Sequence, residues 1–265
     1  MSPASLSLPR LAFGTASLHH LRDASTRAEL LELAVELGLT HFDTAPLYGF
    51  GLAERELAGL LRRHAGRITI ATKVGLYPPG GSDQPAWQMW ARKIGGRVWP
   101  ALSRFRSDFD LTRAEASLGD SLRRLGSERV DLLLLHEPTL AALDPEAWRR
   151  WLEREQSRGR IGAYGLAGPA DTLLPLARVL PEAQLQVADR PGSPATASLA
   201  AAGLAPRILY GYLSAASRAG GPVDAVRVLA DALRRAPQAT VLFSTRQPTR
   251  LRAMVDALRA EGALR

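Results

Sequence analysis

The chain has 265 residues, 46% of them hydrophobic, with 23 Gly, 18 Pro and no Cys. This is the composition of a folded protein with a real core, and it excludes a disulfide framework, a thiolate metal site and a cysteine nucleophile. The net charge of +8 comes from 34 basic and 26 acidic residues. The basic residues are nearly all Arg, scattered through stretches such as Leu61-Arg62-Arg63, Arg123-Arg124, Arg149-Arg150 and Arg234-Arg235, so they read as solvated helix faces and not as a nucleic-acid groove.

No run of about 18 uncharged apolar residues occurs, and the opening MSPASLSLPR has no apolar signal core, so a cytosolic protein without a membrane partner is expected. In chain order, short apolar runs alternate with amphipathic segments. The expected strands are Leu11 to Gly14, Thr40 to Thr44, Ile68 to Val74, Val130 to His136, Ile161 to Leu166, Leu185 to Ala188, Ile208 to Tyr212 and Thr240 to Ser244. Between them, Leu30, Leu33, Ala34 and Leu37, and later Leu118, Leu122 and Leu125, fall at helical spacing. Gly38 and Gly126 stand where helices should stop, Asp144-Pro145-Glu146 reads as a helix start, and Asp224 can cap the helix that follows it. Eight βα units of about 33 residues each suit an α/β protein that is a single closed (β/α)8 TIM barrel over residues 1–265. A doubly wound open sheet is the alternative, but no GxGxxG turn follows the first strand.

One connection is long. Residues 77 to 110 follow the third strand and carry Trp87, Trp90 and Trp99 with Arg92, Lys93 and Arg97. The segment reads as a surface excursion, as a lid over a substrate site, or as a partner surface.

Polar residues closing apolar barrel strands are the candidates for chemistry. Asp43 closes the second strand, Tyr48 follows in its loop, Lys73 lies near the end of the third, and His136 ends the fourth. Only two lysines occur, Lys73 and Lys93. An ammonium among Ile70, Ala71 and Val74 demands a carboxylate, which Asp43 on the neighbouring strand can supply. Lys73 would then lower the pKa of the Tyr48 phenol, while His136 would steer a substrate carbonyl toward it. The set contains no metal ligands and no Ser-His-Asp arrangement, and it lacks an electron source, so a hydride cofactor is implied.

The motifs HFDTAPLYG (41 to 49) followed by Gly51-Leu52-Ala53-Glu54, Thr72-Lys73-Val74-Gly75, and SLRRLGSERVDLLLLHEP (121 to 138) resemble the aldo-keto reductase family. The resemblance runs from Phe13-Gly14-Thr15 to Ser244-Thr245-Arg246, and its spelling is most similar to aldose 1-dehydrogenases of the galactose and fucose type. It implies a (β/α)8 oxidoreductase that interconverts a small carbonyl or sugar and an alcohol, with Asp43, Tyr48, Lys73 and His136 as tetrad and Tyr48 as general acid/base. It also implies that Gln186 and Tyr210 contact a nicotinamide, that Ser244 binds the cofactor, and that Arg246 lies at its adenosine 2′-phosphate. Arg246 would favour NADP(H) over NAD(H), since a guanidinium suits a 2′-phosphate.

The chain departs from the family in three places. Ala167 and Gly168 stand where the family carries Ser and Asn, and Met254 stands where it carries Asn or an acid. No room for the family's C-terminal loop is expected after Arg265, so the 77–110 segment would take its place. Two rivals follow: a non-catalytic barrel that binds a nucleotide or a protein, and a lyase forming a Schiff base through Lys73. Basic charge near the barrel mouth would favour an acidic or phosphorylated substrate.

Overall fold

The computed structural model describes residues 6–78, 106–190, 195–218, 220 and 223–264. Eight parallel strands close a barrel in the order β1 (Leu11–Gly14), β10 (Thr240–Phe243), β9 (Ile208–Tyr210), β8 (Gln184–Ala188), β7 (Ile161–Pro169), β6 (Val130–His136), β3 (Thr69–Val74) and β2 (His41–Asp43). Helices α1 (Ala24–Glu36), α2 (Leu52–Arg63), α3 (Leu111–Leu125), α4 (Pro145–Ser157), α5 (Ala170–Val179), α6 (Ala195–Ala201), α7 (Tyr212–Arg218), α8 (Ala225–Arg235) and α9 (Pro248–Ala260) occupy the connections. Among the described residues no helix is long and apolar enough to cross a membrane.

Strand parity divides the side chains into two cores, because successive residues of a strand point to opposite faces. Ala12, Ala71, Leu132, Leu134, Ala167, Ile208 and Leu242 form a small cluster inside the barrel. Leu11, Phe13, Phe42, Ile70, Val74, Leu133, Leu135, Leu185, Val187, Val241 and Phe243 belong to the large cluster between strands and helices. The helix boundaries have local causes. Asp23, Asp110, Asp144 and Asp224 each accept a hydrogen bond from a backbone amide of the first turn that follows, and Gly38 (φ 85°) and Gly126 (φ 61°) turn the chain out of their helices.

Two strands differ from their sequence expectation by more than one residue at an end. β7 continues to Pro169, three residues past Leu166, because Gly168 and Pro169 stay in register with Val187 and Ala188 of β8. β9 stops at Tyr210 instead of Tyr212: Gly211 takes φ 97°, and Tyr212 opens α7 with its ring buried and its hydroxyl donating to Asp189 at 2.5 Å.

The long connection after β3 is rooted in a two-stranded antiparallel pair, β4 (Leu76–Tyr77) with β5 (Arg106–Ser107). Its start depends on Gly75, whose φ is 102° and where a Cβ would fall 2.2 Å from the Phe109 ring. Phe109 in turn stacks edge-on against Trp148 and accepts, through its carbonyl, the Trp148 indole N–H at 3.2 Å. Trp87, Trp90, Trp99, Arg92, Lys93 and Arg97, and with them the expected lid, lie outside the described residues.

Candidate active site

The parity that fills the barrel with apolar side chains also builds its mouth. Lys73 lies two residues beyond interior Ala71, His136 two beyond Leu134, and Tyr210 two beyond Ile208. Asp43 is paired in register with Gly14 and Ala71, and Gln186 with Ala167 and Ile208. The C-terminal strand ends therefore point Asp43, Lys73, His136, Gln186 and Tyr210 into one pocket of about 340 Å³, which Tyr48, Ala167, Leu242, Phe243 and Ser244 also line.

Tyr48 reaches that pocket from a tight loop. Its amide donates to Ala45, its carbonyl accepts from the Ala53 amide, and Gly49, Phe50 and Gly51 all take positive φ (62°, 56° and 80°) before α2 begins. Glycine is required at 49, where a Cβ would sit 2.6 Å from that of His19. The left-handed conformation of Phe50 is disfavoured and is held by its surroundings.

The centre is the Lys73 ammonium. It donates to Asp43 Oδ1 at 2.7 Å, to Asp43 Oδ2 at 2.6 Å and to the Thr44 carbonyl at 2.9 Å, and it stands 3.4 Å from the Tyr48 hydroxyl. Both members of the ion pair are buried. Gln186 Nε2 adds a further donor to Asp43 Oδ2 at 3.0 Å. With its three protons engaged, Lys73 has no lone pair to attack a carbonyl, which argues against the Schiff-base reading.

One expectation is reversed. The Tyr48 phenol lies well above its ordinary pKa, because burial dominates and the negative charges of Asp43 and Glu137 add to it. Asp43 neutralises the cation that was expected to pull the phenol down, so the hydroxyl keeps its proton. His136, with its ring 6.3 Å from and perpendicular to that of Tyr48, is pushed down to about 3 by burial and then by Lys73. It is a neutral imidazole with one N–H to offer.

Gln186 Oε1 is buried without a hydrogen-bond partner, and Tyr210 presents its ring on the same wall. An aromatic amide resting there would satisfy that oxygen, so the residues present fit a nicotinamide. Ala167 and Gly168 are buried and bring no side-chain donor or acceptor from β7. Ser244 and Ser214 connect this pocket to a groove of about 1000 Å³ lined by Thr245, Arg246, Gln247, Arg250 and Met254. The groove runs past the N-terminus of α9, where Pro248 opens the helix and no side chain caps it. Met254 also packs into the outer core.

Two further groups were not singled out from the sequence. Arg124, expected on a solvated face, is buried: its Nε donates to Glu54 Oε2 at 2.7 Å, while Glu54 Oε1 accepts from the Thr72 hydroxyl at 2.6 Å. The position looked solvated because α3 is amphipathic, but α2 packs across that face. Glu137 lines the tetrad pocket, where no Arg does so among the described residues, while Arg190, Arg218, Arg246 and Arg250 line the adjoining grooves. The only sequence signal of Glu137 is its place directly after His136. No group of three or more His, Asp or Glu able to hold a metal occurs among the described residues.

The profile of the aldo/keto reductase family matches residues 10–177. The chain belongs to the aldo/keto reductase family. A D-threo-aldose 1-dehydrogenase from a Pseudomonas species is 31% identical over 191 residues, 69% of this chain and 56% of that protein. A 6-dehydroglucose reductase from Agrobacterium fabrum is 28% identical over 61% of this chain and 50% of its own length. An L-glyceraldehyde 3-phosphate reductase from Escherichia coli is 30% identical over 49% of this chain and 34% of its own length. The chain thus spans about half the length of the curated aldo/keto reductase relatives it matches. Among solved structures, the holo form of an aldo-keto reductase from Bacillus halodurans superposes with a TM-score of 0.71 at 20% identity, covering 96% of this chain and 88% of that one. One from Klebsiella pneumoniae in complex with NADPH gives 0.69 at 18% identity, covering 95% and 86%. Both likenesses describe the barrel alone.

Proposed function

We propose that the protein is an NAD(P)-dependent oxidoreductase of the aldo-keto reductase type, interconverting a small carbonyl, sugars included, and the corresponding alcohol. The observation that carries this reading is the Lys73 ammonium, gripped by both Asp43 oxygens and 3.4 Å from the Tyr48 hydroxyl. Gln186 and Tyr210 would hold a nicotinamide dinucleotide, which would supply or accept the hydride.

The chain's own groups do the rest. Tyr48 holds a proton at its hydroxyl and gives it to the carbonyl oxygen, or takes it back from the alcohol, as the general acid/base. Lys73 lies within donating distance of that hydroxyl and would donate to the oxygen left after transfer. Asp43 keeps Lys73 charged and in place. His136 directs the carbonyl oxygen with a single N–H. Gln186 and Tyr210 would hold the nicotinamide, Ser244 the stretch of cofactor between pocket and groove, and Arg246 the adenosine end, where it favours NADP(H) over NAD(H). The relatives that act on aldoses and dehydrosugars support a sugar-like substrate. The proposal keeps the cytosolic setting and the small-molecule partner expected from the sequence, without nucleic acid or membrane.

The decisive experiment pairs kinetics with binding. Tyr48→Phe should lower turnover of an aldehyde panel by at least about 10²-fold, the scale of general acid catalysis, while the NADPH affinity read from Trp fluorescence stays unchanged. Equal turnover in the variant removes Tyr48 from the mechanism. A wild type that binds neither nucleotide at millimolar concentration returns the chain to the non-catalytic reading, which Ala167 and Gly168 favour.

A further inference from the structure

The charge of the tetrad pocket does not come from the tetrad. Asp43 and Lys73 cancel as a buried pair and His136 is neutral, so among the described residues the only uncompensated charge lining the pocket is that of Glu137. Its side chain is exposed and makes no hydrogen bond or ion pair with a described residue.

Its placement is built. Glu137 takes φ 52°, a left-handed conformation that side chains disfavour, and its amide donates to the Ala167 carbonyl at 2.7 Å. That bond ties the end of β6 to β7 at the residue that replaces the family's serine. Gly168 is the direct neighbour of Glu137 across the two strands, where a Cβ would stand in ordinary contact 3.5 Å from the Glu137 Cα. The carboxylate's field reaches into the pocket, since after burial it is among the causes that raise both Tyr48 and Tyr210.

We propose that Glu137 is a specificity-determining residue that selects uncharged, hydroxyl-bearing carbonyls and turns away phosphorylated or carboxylated ones. The inference rests on the oxidoreductase reading above. A carboxylate is an acceptor only, with sites for two hydroxyls of a polyol, and it repels an anion brought to the same mouth. The chain's curated relatives include both an aldose dehydrogenase and a reductase of a phosphorylated triose, and an acid at the mouth favours a substrate of the first kind.

The test uses purified wild type, Glu137→Gln and Glu137→Ala at low ionic strength with glyceraldehyde, glyceraldehyde 3-phosphate and propionaldehyde. Wild type should prefer glyceraldehyde over its phosphate by at least about tenfold in kcat/KM. Glu137→Gln, which removes the charge and keeps the shape, should narrow that ratio about tenfold. Glu137→Ala should also lower kcat/KM for glyceraldehyde several-fold more than it changes kcat/KM for propionaldehyde, as expected for a lost hydroxyl contact. Turnover of all three substrates with a ratio that neither variant moves, or a wild-type preference for the phosphate, overturns the assignment of Glu137 alone. Turnover of none of them with either nucleotide overturns the oxidoreductase reading, and the substrate assignment falls with it.

Discussion

Glu54 and Arg124, seventy positions apart in the chain, meet as a buried ion pair at 2.7 Å behind the barrel wall. Glu54 also receives the hydroxyl of Thr72, the residue before Lys73, and sits in the first turn of the helix that follows the Tyr48 loop. The pair therefore fastens the backbone that carries Lys73 to the backbone that carries Tyr48. Removing one partner strands a buried charge, so Glu54→Gln should lower the unfolding free energy by about 3 kcal/mol. Urea denaturation checks this. The double variant Glu54→Gln, Arg124→Met should recover a large part of the loss, and a double variant no more stable than the single one would show that the pair is not what fastens these elements.

Asp43 and Lys73 form the second buried pair, and here stability and chemistry should separate. Asp43→Asn leaves the ammonium without its counter-charge and should cost about 3 to 5 kcal/mol of stability together with most of the turnover. Adding Lys73→Met should restore much of the stability and none of the turnover. If the double variant regains activity, the cation plays no part in the proton chemistry.

Two histidines give the fold a pH dependence. Burial pushes His41 down to about 4 and His136 down to about 3, against 6.5 for an ordinary imidazole. Between those values the unfolded chain binds protons that the folded chain refuses, so stability is intact above about pH 6.5 and is lost as the pH falls toward 4. Each histidine contributes a slope of up to about 1.4 kcal/mol per pH unit in that window. Thermal unfolding at pH 7, 6 and 5 should show Tm falling, and a His41→Asn variant should fall less steeply. Parallel curves would mean that His41 charges as readily in the fold as outside it.

Tyr48 should leave the opposite mark. Because burial, Asp43 and Glu137 hold its phenol above the ordinary value, it remains protonated through the alkaline range. The kcat for carbonyl reduction should show no loss attributable to this group below about pH 10, the reference phenol value. A basic limb centred near pH 8 that disappears in Tyr48→Phe would show the phenol to be acidified after all.

Arg246 is exposed, and no hydrogen bond or ion pair ties it to a described residue, which leaves its fork available to a phosphate. Arg246→Ala should weaken NADPH binding about tenfold or more, the scale of a charge-assisted contact, and leave NADH nearly untouched. Equal losses for the two nucleotides would place the arginine's role elsewhere than at the 2′-phosphate.

The barrel and the convergence of Asp43, Tyr48, Lys73 and His136 were legible because strand parity is written in the residues. Each strand alternates toward helices and interior, and a polar residue at an interior position near a C-terminal end has only the mouth to occupy. Lys73 stood out because an ammonium in an apolar strand needs a partner. The Glu54–Arg124 pair was hidden, since burial on an amphipathic helix depends on which neighbour packs across it. The direction of the Tyr48 shift was misread for a related reason: it turns first on burial of the phenol, then on the charge of Asp43 and on that of a second acid, Glu137, reaching the pocket through a left-handed turn. That backbone conformation has no signature in the residues His136-Glu137-Pro138.

The barrel seam carries a consequence for how the protein is made. β1 and β10 pair Leu11 with Val241, and the Arg10 guanidinium reaches the carbonyls of Leu233, Ala236 and Ala239. Contacts this distant in the chain close the largest loops and form slowly. Gly14 and Phe243 line the pocket from its two sides. During synthesis the proton-handling residues 43 to 136 all emerge well before β10, so a polypeptide released before β10 carries the tetrad residues without the wall that encloses them.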